Sequence, residues 1–289
     1  MKCYLCGSPT VKYLHKNGYD LFECVGCGLI RTDLREPYES FVEKHYSRGY
    51  FMGDASKSAY ADYGRDKTYI TKNLEKFLRF IKPQKSKGTF LDVGCAYGYA
   101  VELAVRYGYQ ASGFDASEHA VLEAKKLVGD KRIKQGLITE VSYKAKSFDV
   151  ISLFDVFEHL SDPIGDIVKL TNYLSDDGVM IIATGDAKSF AAKIFGRRWT
   201  FFIPPQHLFF FNRENMTTTL HKAGLKPMKW YRIGKWLSLG YMLHLGRTTG
   251  ESKLAALLYT LIGNTFLARL PVYIPMMDNM VVIAQKRRG

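Results

Sequence analysis

Four cysteines near the start of the chain are spaced to hold a metal. Cys3-x-x-Cys6 and Cys24-x-x-Cys27 form two pairs with 17 residues between them, and each pair is followed at once by a glycine, Gly7 or Gly28. A CxxC turn points two sulfurs at one cation, and the glycine lets the backbone turn its N–H groups toward the thiolates. Two such turns give a closed tetrahedral four-thiolate site, which suits structural Zn2+. A closed site has no open coordination position, so the metal is expected to brace the fold and not to catalyse. The competing chemistry is disulfide formation. Cys3 and Cys6 stand in a polar context, not in a basic region followed by an apolar run, so a cytoplasmic, reducing location is expected.

A second constellation lies at residues 91–100, LDVGCAYGYA. An apolar run ends on Asp92, and Gly94, Ala96 and Gly98 follow at every second position. This reads as a strand turning into a helix around a ligand. A P-loop would need Gly-Lys-Ser/Thr, and the stretch has no lysine. A dinucleotide site would need GxGxxG, which residues 94–99 do not match. A carboxylate at Asp92 would repel a pyrophosphate but suits a cationic ligand. S-adenosylmethionine, with its ammonium and sulfonium, is therefore the expected ligand. Asp115 ends the next strand, 23 residues after Asp92, and can accept from both ribose hydroxyls.

These residues need a scaffold, and the hydrophobic pattern supplies one. Strands are predicted over 89–93, 111–114, 132–134, 148–154 and 179–184, with helices over 97–107, 117–128 and 164–174 between them. Ser117 is the predicted N-cap of the second helix. This alternation implies a parallel sheet with helices on both faces, whose ligand lies beyond the C-terminal strand ends. A helix over 66–82 precedes the sheet, and a helix over 215–223 stops at Gly224. Two late strands, 227–232 and 279–285, complete a seven-stranded sheet, with room for one or two helices between them. Residues 2–30 resemble a zinc ribbon, with short strands at 4–5, 11–14 and 20–23. Residues 37–63 interleave Tyr38, Phe41, Tyr46, Tyr50, Phe51, Tyr60 and Tyr63 with Gly49 and Gly53. They are expected to form an irregular strap with the character of a lid. The expected organisation is a zinc ribbon (1–36), a Tyr-rich connection (37–65) and an α/β domain (66–289) carrying a helical insertion at 235–275.

LDVGCAYG, GFDAS at 113–117 and FDVISLFDVFEHLSDP at 148–163 together resemble the class I S-adenosylmethionine-dependent methyltransferases. The likeness is to a branch with an EHL helix start and a later PxHLxxF segment, here PQHLFFF, and it covers residues 66–289. The resemblance implies a Rossmann-like sheet. It implies that Asp92 and the Gly94–Gly98 backbone contact the methionine moiety, that Asp115 takes the ribose and that Ala116 packs on the adenine. Gln135, Gly136 and Leu137 should lie by the adenine edge, and Phe154 and Asp155 should line the floor. Ala96 departs from the family pattern, which has a glycine there, and its methyl narrows the loop. The ribbon with its Tyr-rich connection is similar to bacterial methyltransferases of sugar and polysaccharide biosynthesis.

A hydroxyl acceptor must lose a proton during methyl transfer, and histidine is suited to take it. His159, next to Glu158, is expected to face the cofactor crevice. His207 lies where acceptor-side loops gather. Either histidine is a candidate base, with Glu158 beside it. Each also has a plain reading as a histidine hydrogen-bonded for structure. Asp155, Glu158 and His159 resemble a divalent-metal trio of quinone-type O-methyltransferases, which raises Mg2+ as a minor expectation.

The acceptor is expected to be a small molecule or glycan, phosphorylated or lipid-linked. The net charge of +13 points to an anionic partner, and residues 222–289 hold eleven basic residues, Arg288 among them, against two acidic ones. Residues 235–275 combine apolar and basic side chains, so they are expected either to rest on a membrane surface or to form a cap or oligomer contact. An RNA methyltransferase gripping nucleic acid with the ribbon and the basic C-terminal region is the main alternative. Against it, LFDVFEHL stands where a base-methylating Asn/Asp-Pro-Pro-Tyr/Phe motif would lie. An inactive ribbon-bearing binding protein is a third reading, opposed by Asp92, Gly94, Gly98 and Asp115.

Overall fold

The structure is a computed structural model that describes residues 1–52 and 60–287. The expectations placed on Gly53 and Arg288 lie outside the described residues. At the N-terminus, β1 (Thr10–Lys16) and β2 (Tyr19–Cys24) form an antiparallel hairpin. Asn17 and Gly18 make its two-residue turn, both with positive φ, 53° and 85°. That conformation matches the twist of the flanking strands, and Asn-Gly adopts it readily. β3 (Ile30–Thr32) pairs with β2. The predicted strand at 4–5 is instead a turn, because the first CxxC knuckle occupies those residues.

The sequence predicts an irregular strap over 37–63, but the structure forms two short helices there, α1 (Tyr38–His45) and α2 (Arg48–Met52). Phe41 and Val42 are buried from α1, and Tyr50 and Phe51 from α2, so tertiary burial of the rings drives these helices. α3 (Lys67–Ile81) buries Leu74, Phe77, Leu78 and Ile81 on one stripe. The alternating region follows as β4 (Gly88–Val93), α4 (Tyr99–Arg106), β5 (Tyr109–Asp115), α5 (Glu118–Val128), β6 (Ile133–Gln135), β7 (Phe148–Phe154), α6 (Pro163–Tyr173) and β8 (Leu174–Gly185). Ser117 Oγ accepts from Ala120 N–H at 3.4 Å and caps α5. Asp162 caps α6, with Pro163 in its first turn.

The chain continues through α7 (Phe190–Phe195), β9 (Phe209–Phe210), α8 (Arg213–Lys222), β10 (Leu225–Ser238), α9 (Leu239–Thr248), α10 (Lys253–Ile262) and β11 (Pro271–Lys286). The large sheet has seven strands in the order β10-β11-β8-β7-β4-β5-β6. β4 to β8 run parallel, and β11 and β10 close one edge antiparallel. Successive side chains of a strand point to opposite faces. Thus Leu91, Val93, Ile151 and Leu153 face one core, while Phe90 and Val150 face the other. α6 and α8 cover the first face; α3, α4 and α5 cover the second.

Two further features depart from the sequence reading. The last two strands are much longer than predicted, and they pair from Lys235–Ile274 to Ser238–Pro271 beyond the sheet. Residues 235–238 and 271–275 are therefore strand, and the helices of the insertion occupy 239–262. The second departure is β9, which pairs with β3 (Ile30 opposite Phe210, Arg31 opposite Phe209). The ribbon's four-stranded sheet is completed by the PQHLFFF segment. Cys3, Leu5, Cys24 and Leu29 pack into the same core as α6 and α8.

Candidate active site

The parallel strands end at a cavity of about 1010 Å³, including its open mouth. β4 delivers Val93 and Gly94, and the loop that follows brings Ala96. β5 brings Phe114 and Asp115, with Ala116 beyond it. Gly136 and Leu137 follow β6, and Phe154 ends β7. The rings of Tyr38, Tyr46, Tyr50, Tyr60 and Tyr63 close the other side. Asp115 holds the glycine loop in shape: Oδ2 accepts from Ala96 N–H at 2.8 Å and Oδ1 from Ser117 N–H at 2.9 Å. A carboxylate has about four acceptor positions, so both oxygens keep capacity for ribose hydroxyls. Ala96 stands at φ 45°, in the left-handed region that favours glycine.

Asp92, Gly98 and Gln135, all expected at the ligand, do not line this cavity. Asp92 is buried beneath the loop, where its Oδ1 accepts from Ser152 Oγ at 2.6 Å. Burial pushes its carboxyl up to about 7. Gly98, at φ 77°, begins α4, and a Cβ there would meet Ala124 of α5 at 3.1 Å. Its work is close helix packing and a left-handed turn.

A second cavity of about 1560 Å³, open solvent included, lies on the other side of a shared wall. Tyr50, Tyr60, Tyr63, Phe154, Asp155 and His159 border both spaces. The second cavity is mostly apolar, with Leu74, Phe77, Phe201, Ile203, Tyr241, Met242 and Met276 among its walls. One set of its polar groups, Asp155, Glu158, His159, His207 and Lys235, gathers around the shared wall, and Asn73, Thr200, Asp278 and Asn279 add further polar positions.

Asp155 sits at φ 54° and forms a two-pronged ion pair with Lys235 Nζ, at 3.1 and 3.0 Å. His159 Nδ1 lies 2.7 Å from the Gln206 carbonyl and 2.7 Å from the Tyr46 hydroxyl. Burial lowers the His159 imidazole to about 4, so it is neutral at physiological pH. His207 is buried, with Nδ1 2.7 Å from the Phe201 carbonyl, and burial lowers its imidazole well below the ordinary histidine range. The two imidazoles meet edge to face at 4.8 Å. Glu158 Oε2 accepts from Thr184 Oγ1 at 2.8 Å, while Oε1 has no hydrogen-bond partner among the described residues. Burial, reinforced by Asp155, pushes the Glu158 carboxyl up to about 8.

The expected magnesium trio is not what the structure gathers, because Asp155 is engaged by Lys235. Glu158, His159 and His207 come together instead, with their ligand atoms within 4.8 Å of one another. Two imidazoles and one carboxylate suit a transition metal better than oxygen-seeking magnesium.

The four cysteine sulfurs also lie within 4.8 Å of one another, Cys3 to Cys27 at 3.7 Å and Cys6 to Cys24 at 3.4 Å. Four sulfurs about 2.3 Å from one zinc are about 3.8 Å apart, so the cluster fits that ion. Backbone N–H groups of Leu5 and Gly26 point at Cys3 and Cys24 sulfurs, and Gly7 and Gly28 both have positive φ. The Ser8 hydroxyl and backbone N–H hold the Cys6 thiol down at about 6.

Residues 64–229, more than half of the chain, match the family model described as a methyltransferase domain. The chain belongs to this methyltransferase family. It is an S-adenosylmethionine-dependent enzyme with a class I domain. The methyltransferase is similar to the ubiquinone biosynthesis O-methyltransferase of Dinoroseobacter shibae, 26% identical over 204 residues, which are 67% of this chain and 77% of that protein. A Ruegeria protein of the same name is 28% identical over 156 residues, 48% of this chain and 60% of the relative. The YcgJ protein of Bacillus subtilis shares the fold, with a TM-score of 0.52 at 17% identity, over 74% of this chain and 99% of that one.

Of the residues singled out by sequence, the methyltransferase gathers Gly94, Ala96, Asp115, Ala116, Gly136, Leu137, Phe154 and His159 around the first cavity. Glu158 and His207 face the second. Sequence reasoning gave no site role to Lys235 or Gln206. Lys235 reads as one more member of a basic stretch. Only the return of β10 past the sheet brings it to Asp155. The tyrosines of α1 and α2 left a signal, their density, but not an address.

Proposed function

We propose that this methyltransferase methylates a hydroxyl of a small-molecule acceptor held in the second cavity. The observation that carries this reading is the shared wall, where Phe154, Asp155 and His159 face both spaces at once. Oxygen as the accepting atom is supported by the O-methyltransferase relatives. The lining favours an acceptor with an apolar body and its hydroxyl at the Asp155–His159 end. A sugar acceptor suits these walls when it rides on an apolar carrier, such as a lipid.

S-adenosylmethionine, bound along Gly94, Ala96, Asp115, Ala116, Gly136 and Leu137, supplies an already activated methyl group. The remaining task is to hold the acceptor oxygen in line and to take its proton. His159 Nδ1–H donates to the Gln206 carbonyl, which leaves the lone pair on Nε2. Because the ring is neutral at physiological pH, that lone pair is available to the acceptor hydroxyl. The neighbouring Asp155 carboxylate favours the imidazolium as it forms. Tyr46 holds the ring from the strap side. His207 sets the far edge of the imidazole and acts as a positioning residue.

The reading includes one structural zinc on Cys3, Cys6, Cys24 and Cys27. It also keeps three parts, a ribbon (1–36), a connecting strap (37–65) and the methyltransferase domain (66–289). The test is release of S-adenosylhomocysteine with prenylated phenols and glycolipids as acceptors. The His159→Ala variant should lose roughly 100- to 10,000-fold in turnover and keep its calorimetric affinity for S-adenosylmethionine. Undiminished turnover in that variant overturns the base assignment. No turnover of any apolar-bodied hydroxyl by parent protein that binds the cofactor overturns the acceptor class.

A further inference from the structure

α10 is built inside out. Leu254, Leu257, Leu258 and Leu261 recur at i, i+3, i+4 and i+7, a spacing that in a globular protein faces the core. Here the stripe faces outward, with Leu254 64% and Leu261 63% exposed, and α10 contributes no buried residue. Its other face, Ala255, Ala256 and Tyr259, is half-buried. Phe266, in the turn that follows, is 77% exposed.

A second apolar surface lies beside it. On α7, Phe190 is 77% exposed, and Ile194 and Phe195 are exposed with it. The turn after α7 is tied to the α9–α10 connection, since Arg197 pairs with Glu251 at 3.5 Å. Lys16 Nζ binds both junctions, donating to the Arg197 carbonyl at 3.0 Å and the Thr249 carbonyl at 2.8 Å. The two elements that carry these surfaces are therefore joined at their turns.

Their rim is basic. Lys193, Arg197, Arg198, Arg247, Lys253 and Arg269 are exposed, and Glu251 is the one acidic residue within 187–198 and 239–271. We propose that α10 and α7 together dock the protein peripherally on an anionic lipid bilayer. Apolar side chains enter the acyl boundary while Lys and Arg meet the headgroups, the arrangement of an interfacial amphipathic helix. A second copy of this chain fits the patch poorly, because it would bring the same basic rim and another net charge of +13. Among the described residues no helix is long and apolar enough to cross a membrane.

The docking stands on surface residues alone. Its link to catalysis rests on the acceptor reading above: Tyr241, Met242 and Leu245 of α9 line the acceptor cavity, and α9 carries α10. Docking would thus set that cavity close to the lipid, where an apolar-bodied acceptor is concentrated.

The test is co-sedimentation of the full chain with phosphatidylcholine vesicles, with and without phosphatidylglycerol. The expected result is binding to the anionic vesicles that weakens as salt is raised. The Leu257→Glu/Leu261→Glu variant should bind roughly tenfold less or weaker still, with unchanged metal content and unchanged S-adenosylmethionine affinity. No binding by the parent protein overturns the proposal, as does a variant that binds equally well. So does a concentration-dependent dimer that the variant abolishes while neither protein binds vesicles, because the patch is then a contact between copies. Cofactor affinity is read separately, so a failed acceptor assignment and a failed docking surface give different results.

Discussion

Replacing Asp92 with asparagine isolates the electrostatics beneath the glycine loop. Asp92 is 4% exposed and accepts from Ser152 at 2.6 Å. Burial, with a smaller push from Asp115, raises its carboxyl to about 7, against an ordinary value of about 3.9. Between those two values the folded protein holds a proton that the unfolded chain has released. Stability from this group is therefore full below about pH 4 and is lost as pH rises through 7. The loss is at most about 4 kcal/mol, three units at about 1.36 kcal/mol each. Asparagine keeps the shape and still accepts from Ser152, but it cannot ionise. Asp92→Asn should melt several degrees above the parent at pH 8 and converge with it near pH 4. Cofactor binding should move the other way. A cationic ligand favours the ionised form, so parent affinity should rise about tenfold from pH 6 to pH 8, as the ionised fraction climbs from about a tenth to about nine-tenths. The variant should bind more weakly and lose most of that slope. Asp115 is present in both proteins, so its own titration cancels in the comparison. The assays are scanning fluorimetry and calorimetry across pH. A variant no more stable at pH 8, or one that keeps the parental slope, would refute the reasoning.

Ala96→Gly relieves a left-handed alanine, worth roughly 1–2 kcal/mol, against roughly 0.4–1 kcal/mol of added unfolded-state freedom. A rise of one to a few degrees in melting temperature is expected, by about 2–4 °C per kcal/mol for a chain of this class; a fall would show that the methyl packs favourably. Lys235→Met leaves the half-buried Asp155 without its cation and should cost about 1–2 kcal/mol in denaturant unfolding. Adding Asp155→Asn should recover most of that loss, and simple additivity of the two changes would disprove the coupling. Cys24→Ser should abolish binding of about one zinc per chain, read by elemental analysis. It should also lower turnover, because Thr32 of β3 donates to the His207 carbonyl at 2.7 Å.

The parallel half of the fold was legible because its signals are local. The strand-to-helix turn after Val93, the Ser117 cap and the apolar runs of β7 and β8 each declare themselves within a few residues. The cofactor-side residues inherit that clarity, since topology alone places them at the strand ends. What stayed hidden depends on distant partners. β9 is two residues of a phenylalanine run and becomes a strand because β3 lies beside it. The outer halves of β10 and β11 hold each other up and have no sheet beneath them. α1 and α2 form where aromatic rings find a cavity to close. Asp92 and Gly98 carry the right residue types, yet one lies below the cavity and the other faces α5. Residue type identified the loop, and only packing could say which of its members line the cavity.

The pairing of Ile30 with Phe210 has a consequence for how the chain is made. During synthesis the cysteine knuckles and the first hairpin leave the ribosome before β9, and the zinc proposed above would organise them while the rest is still to come. The strand that completes their sheet is translated some 180 residues later. Until then β3 presents an open edge, the kind of surface on which nascent chains mispair. A chain released before Phe209 would keep that edge open permanently. The four-stranded sheet is thus begun well before the strand that finishes it is made.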